Sequence, residues 1–113
     1  MLEIPEVTIE EANEKMKKSE AVFVDIRDKD SFQDAHIPGA VHLGDHNVQS
    51  WVENQPKDQP VVVYCFHGNS SLSGAAYLRN AGFKEVYSMR GGFEAWRGVY
   101  PHSGRGPGLA RGI

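Results

Sequence analysis

Val61-Val62-Val63-Tyr64-Cys65-Phe66-His67-Gly68-Asn69-Ser70-Ser71 is the stretch on which the reading of this chain turns. Three valines and a tyrosine with no polar alternation read as a strand covered on both faces. The strand runs into a cysteine, then a short polar loop, then Leu72-Ser73-Gly74-Ala75-Ala76-Tyr77-Leu78, which reads as a helix. That order puts the thiol at the carboxyl end of a strand, facing a helix N-terminus. Open α/β sheets bind ligands at such points. Free N–H groups and the positive end of the helix dipole favour an anion there, be it thiolate or substrate.

Working outward, strands and helices alternate. Glu3 to Val7 reads as a weak first strand. Thr8-Ile9-Glu10-Glu11 has the form of a capping box, and Ile9, Ala12 and Met16 repeat at helical spacing to about Lys18. Ala21-Val22-Phe23-Val24-Asp25-Ile26 is a second strand, followed by a helical turn near Ser31-Phe32-Gln33, the turn His36-Ile37-Pro38-Gly39 and a brief strand Ala40-Val41-His42. Asn47 is placed to cap a helix whose Val48, Trp51 and Val52 share a face. After the cysteine loop the helix is expected to stop at Gly82. Glu85-Val86-Tyr87-Ser88 is the last strand, and Gly91-Gly92-Phe93-Glu94-Ala95-Trp96 opens a final helix. The alternation implies an α/β domain with a mostly parallel sheet and helices on both sides.

The chain has 113 residues, enough for one domain, here assigned to residues 1–102. Residues 103–113, glycine-rich with Arg105 and Arg111, are expected to form a flexible tail. A net charge of −3 argues against nucleic acid or an acidic membrane as partner. No apolar run approaches the ~18 residues of a membrane span, and no basic region followed by an apolar stretch opens the chain, so no signal peptide is expected. A single cysteine allows no internal disulfide and no thiolate cluster for zinc. These features point to a reducing cytoplasm.

A lone cysteine is often only a small buried hydrophobe. The loop after Cys65 argues otherwise. It has little core-forming content, and its Gly68 and Asn69 tolerate unusual backbone angles, so successive N–H groups can turn inward as an anion-binding nest. Ser70 and Ser71 can add hydroxyl donors or cap the helix. Cys65 is therefore the expected nucleophile, with its pKa lowered. Cysteine phosphatases carry an arginine six residues after the cysteine, as a bidentate clamp on the phosphoryl group. Here that position is Ser71, and the loop holds no Arg or Lys. Dithiol redox chemistry lacks a second cysteine. A thiolate that accepts sulfane sulfur and passes it on fits what remains.

In these residues the chain resembles the single-domain rhodaneses, and among them the GlpE-type thiosulfate sulfurtransferases, over residues 4–101. Three stretches carry the resemblance: Val24-Asp25-Ile26-Arg27-Asp28 with Phe32, His36-Ile37-Pro38-Gly39-Ala40 and His42-Leu43; Cys65 to Ser71; and Gly91 to Trp96. It implies a three-layer α/β/α domain around a five-stranded parallel sheet. It also implies that Cys65 carries the sulfur and that Phe66, His67, Gly68, Asn69 and Ser70 cradle the persulfide. Two positions depart from the pattern. Ala35 stands where glycine is usual, and Leu72 where some relatives have a basic residue.

The expected reaction is a double displacement. Cys65 takes the outer sulfur of thiosulfate, then yields it to cyanide, a thiol or a dithiol protein. No metal and no organic cofactor are expected. The alternatives are a non-catalytic binding or redox-sensing module and a persulfide relay to a partner protein. His67 reads either as a thiosulfate-orienting group or as a solvent-facing loop residue. Asp25 and Arg27 read as a structural ion pair and Asp28 as a cap. His36 and His42 read as structural, and Trp51 and Trp96 as core.

Overall fold

The computed structural model describes residues 3–106. Five strands, β1 (Glu6–Val7), β2 (Val22–Asp25), β3 (Val41–His42), β4 (Val61–Tyr64) and β5 (Val86–Met89), form one sheet in the order β1-β5-β4-β2-β3. Every pairing is parallel. Five helices complete the order: α1 (Ile9–Lys17), α2 (Lys29–Asp34), α3 (Val48–Asn54), α4 (Ser70–Asn80) and α5 (Gly92–Arg97).

Side chains alternate across a strand, so β4 feeds two cores at once. Val62 and Tyr64 pack with Ala12 of α1 and with Phe93 and Trp96 of α5. Val61 and Val63 pack with Ala75 and Leu78 of α4, against which Val48, Trp51 and Val52 of α3 close. The result is the expected three-layer α/β/α arrangement. Trp96 is fully buried, and its indole N–H donates to the Pro101 carbonyl at 3.0 Å. Trp51 is only partly buried and stacks on Phe83.

Local chemistry explains several boundaries. Thr8 and Glu11 form the capping box in full. Asp28 caps α2 through the amide and hydroxyl of Ser31, and these bonds hold its carboxyl below the usual carboxylate range. That cap extends the expected turn into a six-residue helix. Ala35 has φ −163°, an extended backbone that any residue adopts, so the missing glycine costs nothing there. Of the tail expected from residue 103, Ser103 exchanges both backbone hydrogen bonds with His36, and Arg105 and Gly106 donate to Gln33 and Asp34. Residues 103–106 are thus tied to the α2 region, and 107–113 lie outside the described residues.

The topology fixes where a site can form. From β2 the chain moves outward to β3; from β4 it moves the other way, to β5. The reversal falls between β2 and β4, the crevice where such sheets bind ligands. At the end of β2, Asp25 is buried and grips Arg27, with Nη2 to Oδ2 at 2.7 Å and the Arg27 amide to Oδ1 at 2.8 Å. Arg27 also donates to the Ala35 carbonyl. Asp25→Asn removes the counter-charge of a buried guanidinium and is expected to cost about 3 kcal/mol. A chemical denaturation series checks this as a lower midpoint at unchanged slope.

Candidate active site

Cys65 follows β4 directly and opens into the crevice between β2 and β4. Cys65 is 6 % exposed. The Gly68 and Ser71 amides each donate to Sγ at 3.2 Å, and the Ser71 hydroxyl lies 3.4 Å away. Asn69, at the head of α4, makes no side-chain capping bond. The sulfur takes that place, receiving an N–H from the first turn of an eleven-residue helix. This is why α4 starts at Ser70, two residues before the helix expected from the sequence.

Burial pushes the thiol pKa up, because a charged sulfur loses water. The Ser71 hydroxyl and the amides of Ser71, Gly68 and His67 outweigh that cost, and the thiol lies below its ordinary value.

The loop's shape depends on two glycines. Gly68 has φ +97°, and a Cβ there would sit 2.9 Å from the Gly91 nitrogen. Gly92 has φ +62°, and a Cβ there would fall 2.4 Å from the Phe66 carbonyl oxygen. The reason for that closeness is a pair of hydrogen bonds. Phe93 N donates to the Cys65 carbonyl at 2.8 Å and Glu94 N to the Phe66 carbonyl at 3.0 Å. With these carbonyls held by α5, the amides that follow are free to face the sulfur.

Beyond the sulfur lies a cavity of about 340 Å³ lined by Ile26, Arg27, Asp28, Cys65, Phe66, His67, Asn69 and Ser70. Of the residues expected to cradle sulfur, Gly68 bonds Sγ directly and His67 contributes its amide. Phe66, Asn69 and Ser70 line the cavity and make no described hydrogen bond to Sγ. Phe66 is 39 % exposed and rests on the Arg27 guanidinium, 5.2 Å from its ring centroid; Phe93 lies 4.2 Å away on the same cation. The Asp25–Arg27 pair therefore buttresses the loop as well as closing the end of β2.

His36 and His42 stay outside this cavity. His36 Nδ1 meets the Phe32 carbonyl and His42 Nε2 the Arg27 carbonyl, both at 2.6 Å. Among the described residues no group of His, Cys, Asp and Glu is placed to hold a metal ion.

Two features of the site carry weak signals in the sequence. Gly92 stands there only as part of the Gly91 to Trp96 motif, although a double glycine at a helix start is a visible sign of close backbone approach. Ser88 lies fully buried on β5 with its hydroxyl 2.7 Å from that of Ser71. One polar residue among Val86, Tyr87 and Met89 was its only local signal.

With this geometry in view, known proteins can be set beside it. A Pseudomonas putida protein named thiosulfate sulfurtransferase GlpE is 50% identical over 101 residues, covering 89% of this chain and 92% of that protein. The rhodanese-like domain of an Anabaena protein superposes with a TM-score of 0.79 at 24% identity, over 88% of this chain and 79% of that one. A Rhodopseudomonas palustris protein described as of unknown function, a possible tyrosine phosphatase, gives 0.75 at 30% identity, over 88% and 85%. The model of the rhodanese-like domain matches residues 8–98, from the N-cap of α1 to the C-cap of α5. Strands β2 to β5, the cysteine loop and the supporting glycines all fall within that one match, and the chain belongs to the rhodanese-like domain family.

Proposed function

We propose that this protein is a thiosulfate sulfurtransferase working through a Cys65 persulfide. The observation that carries the reading is the Cys65 sulfur itself, held by the Gly68 and Ser71 amides while facing an open cavity. Such a sulfur is stabilised as an anion yet reachable by a small donor. The name borne by the Pseudomonas putida relative supports the same activity.

In the first half-reaction the Cys65 thiolate attacks the outer sulfur of thiosulfate. A new S–S bond forms, the bond to the sulfite sulfur breaks, and sulfite leaves with that electron pair. The outer sulfur then lies in the cavity walled by Phe66, His67, Asn69 and Ser70. In the second half-reaction cyanide or a thiolate takes that sulfur, and Cys65 leaves as thiolate. The Gly68 and Ser71 amides serve Sγ whenever it carries the charge, as attacking thiolate and as leaving group. A phosphoryl-transfer reading fits less well, because Ser71 stands where the phosphoryl clamp would need a guanidinium.

No helix among the described residues is long and apolar enough to cross a membrane. A reducing cytoplasm suits an enzyme whose one thiol must return to the thiolate after each cycle.

Mass spectrometry tests the proposal. Thiosulfate without acceptor is expected to add ~32 Da, one sulfur atom, to the intact chain, and cyanide or a thiol to remove it. Absence of the adduct with thiosulfate and with other sulfane-sulfur donors would overturn the mechanism.

A further inference from the structure

We propose that Ser88 is a positioning residue for Cys65, turning the Ser71 hydroxyl proton onto the sulfur. Three side chains from three elements make the arrangement: Cys65 after β4, Ser71 in the first turn of α4 and Ser88 on β5. The Ser71 and Ser88 oxygens are 2.7 Å apart and the Ser71 oxygen is 3.4 Å from Sγ. Ser71 and Ser88 are both fully buried. A buried hydroxyl pair between packed layers is costly unless each proton has a partner.

Each hydroxyl has one proton, so the direction of the chain matters. With Cys65 ionised, Ser88 donates to Ser71 and Ser71 donates to the sulfur. Every proton is used, and the run ends on the negative charge, where polarisation along it is strongest. With Cys65 neutral, an S–H that donates to Ser71 turns the Ser71 proton to Ser88 and leaves the Ser88 proton with no acceptor among the described hydrogen bonds. An S–H turned to the cavity keeps the run but ends it on an uncharged sulfur, a weaker acceptor. The arrangement therefore favours the thiolate.

Its consequence rests on reading Cys65 as the sulfur carrier. Thiolate stabilisation acts unequally on the two half-reactions. When the acceptor's electron pair bonds to the outer sulfur, the S–S bond breaks and its electrons return to Sγ, so a stabilised thiolate leaves faster. As attacking group the same thiolate is slightly less nucleophilic. Ser88 thus serves chiefly the step that releases sulfur to the acceptor.

Iodoacetamide alkylation of Cys65 against pH tests the proposal without any sulfur donor, so its outcome is independent of the thiosulfate reading. In Ser88→Ala the midpoint is expected to move to higher pH, with the rate below the wild-type midpoint falling roughly tenfold. Ser88→Thr, which keeps the hydroxyl, is expected to hold the wild-type midpoint. Adding Ser88→Ala to Ser71→Ala is expected to change nothing further, because Ser88 acts only through Ser71. The pair Ser88→Val and Ser88→Thr, equal in shape but not in hydroxyl, makes the same comparison if the alanine variant fails to fold. An unmoved midpoint on loss of the Ser88 hydroxyl, or an equal shift with and without Ser71, would overturn the proposal.

Discussion

Cys65→Ser is expected to lower thiosulfate-to-cyanide sulfur transfer by at least about a thousandfold while leaving the domain folded. The hydroxyl that replaces the thiol can still accept the Gly68 and Ser71 amides that now meet Sγ. Stability should therefore change by no more than about 1 kcal/mol. Chemistry changes far more. A serine hydroxyl does not ionise near neutral pH, and oxygen forms no stable bond to sulfane sulfur that an acceptor could open. Steady-state transfer, the intact-mass adduct and a thermal melt on the same sample separate the two effects. Retained transfer in the folded variant would mean that the sulfur is carried elsewhere.

Gly92→Ala is expected to be the most damaging substitution outside the cysteine itself. The new Cβ would lie 2.4 Å from the Phe66 oxygen, 2.5 Å from the Phe66 carbonyl carbon and 2.6 Å from the Cys65 oxygen. All three are backbone atoms, so no rotamer relieves the clash. The positive φ of +62° adds strain of its own. Loss of about 4 kcal/mol is expected. Because the displaced carbonyls precede the amides that hold Sγ, transfer is expected to fall about a hundredfold even where the protein remains folded. Gly98→Ala is the matching control. Gly98 has φ −78°, its added Cβ would meet nothing closer than 3.9 Å, and wild-type behaviour is expected. Melting midpoints and activity well below them are the measurements. Near-normal transfer by folded Gly92→Ala would remove α5 from the account of the cradle.

Both predictions depend on contacts that differ in how visible they are in the chain. Cys65, Gly68 and Ser71 span seven consecutive residues, and the turn that brings their N–H groups to the sulfur is local. A polar, glycine-containing loop after a buried strand announces it. The Asp25–Arg27 pair is local too, two residues apart at a strand end. By contrast, the grip of Phe93 N and Glu94 N on the Cys65 and Phe66 carbonyls joins segments 28 residues apart in sequence. The Arg27 guanidinium beneath the Phe66 ring depends on β2 and β4 being neighbours.

The same division explains the smaller differences. α4 begins earlier than its apolar residues suggest, since the cap on its first turn is a sulfur atom rather than an Asn or Ser side chain. α2 is longer than its weak pattern implies, because a single aspartate satisfies its first turn. Residues 103–106 read as tail in a composition that cannot show them meeting His36, Gln33 and Asp34.

From the amino-acid order alone came the α/β alternation, the mostly parallel sheet, the place of the lone thiol at a strand end and the polar, glycine-containing loop after it. Each follows from periodicity or from turn chemistry within a few residues, where propensity and hydrogen bonding are decided locally. The tertiary structure alone decided which strands flank β4, and so placed Ser88, Arg27 and the α5 amides around the sulfur. Those contacts arise from packing between segments distant along the chain, and no local preference encodes the partner that a buried polar group will meet.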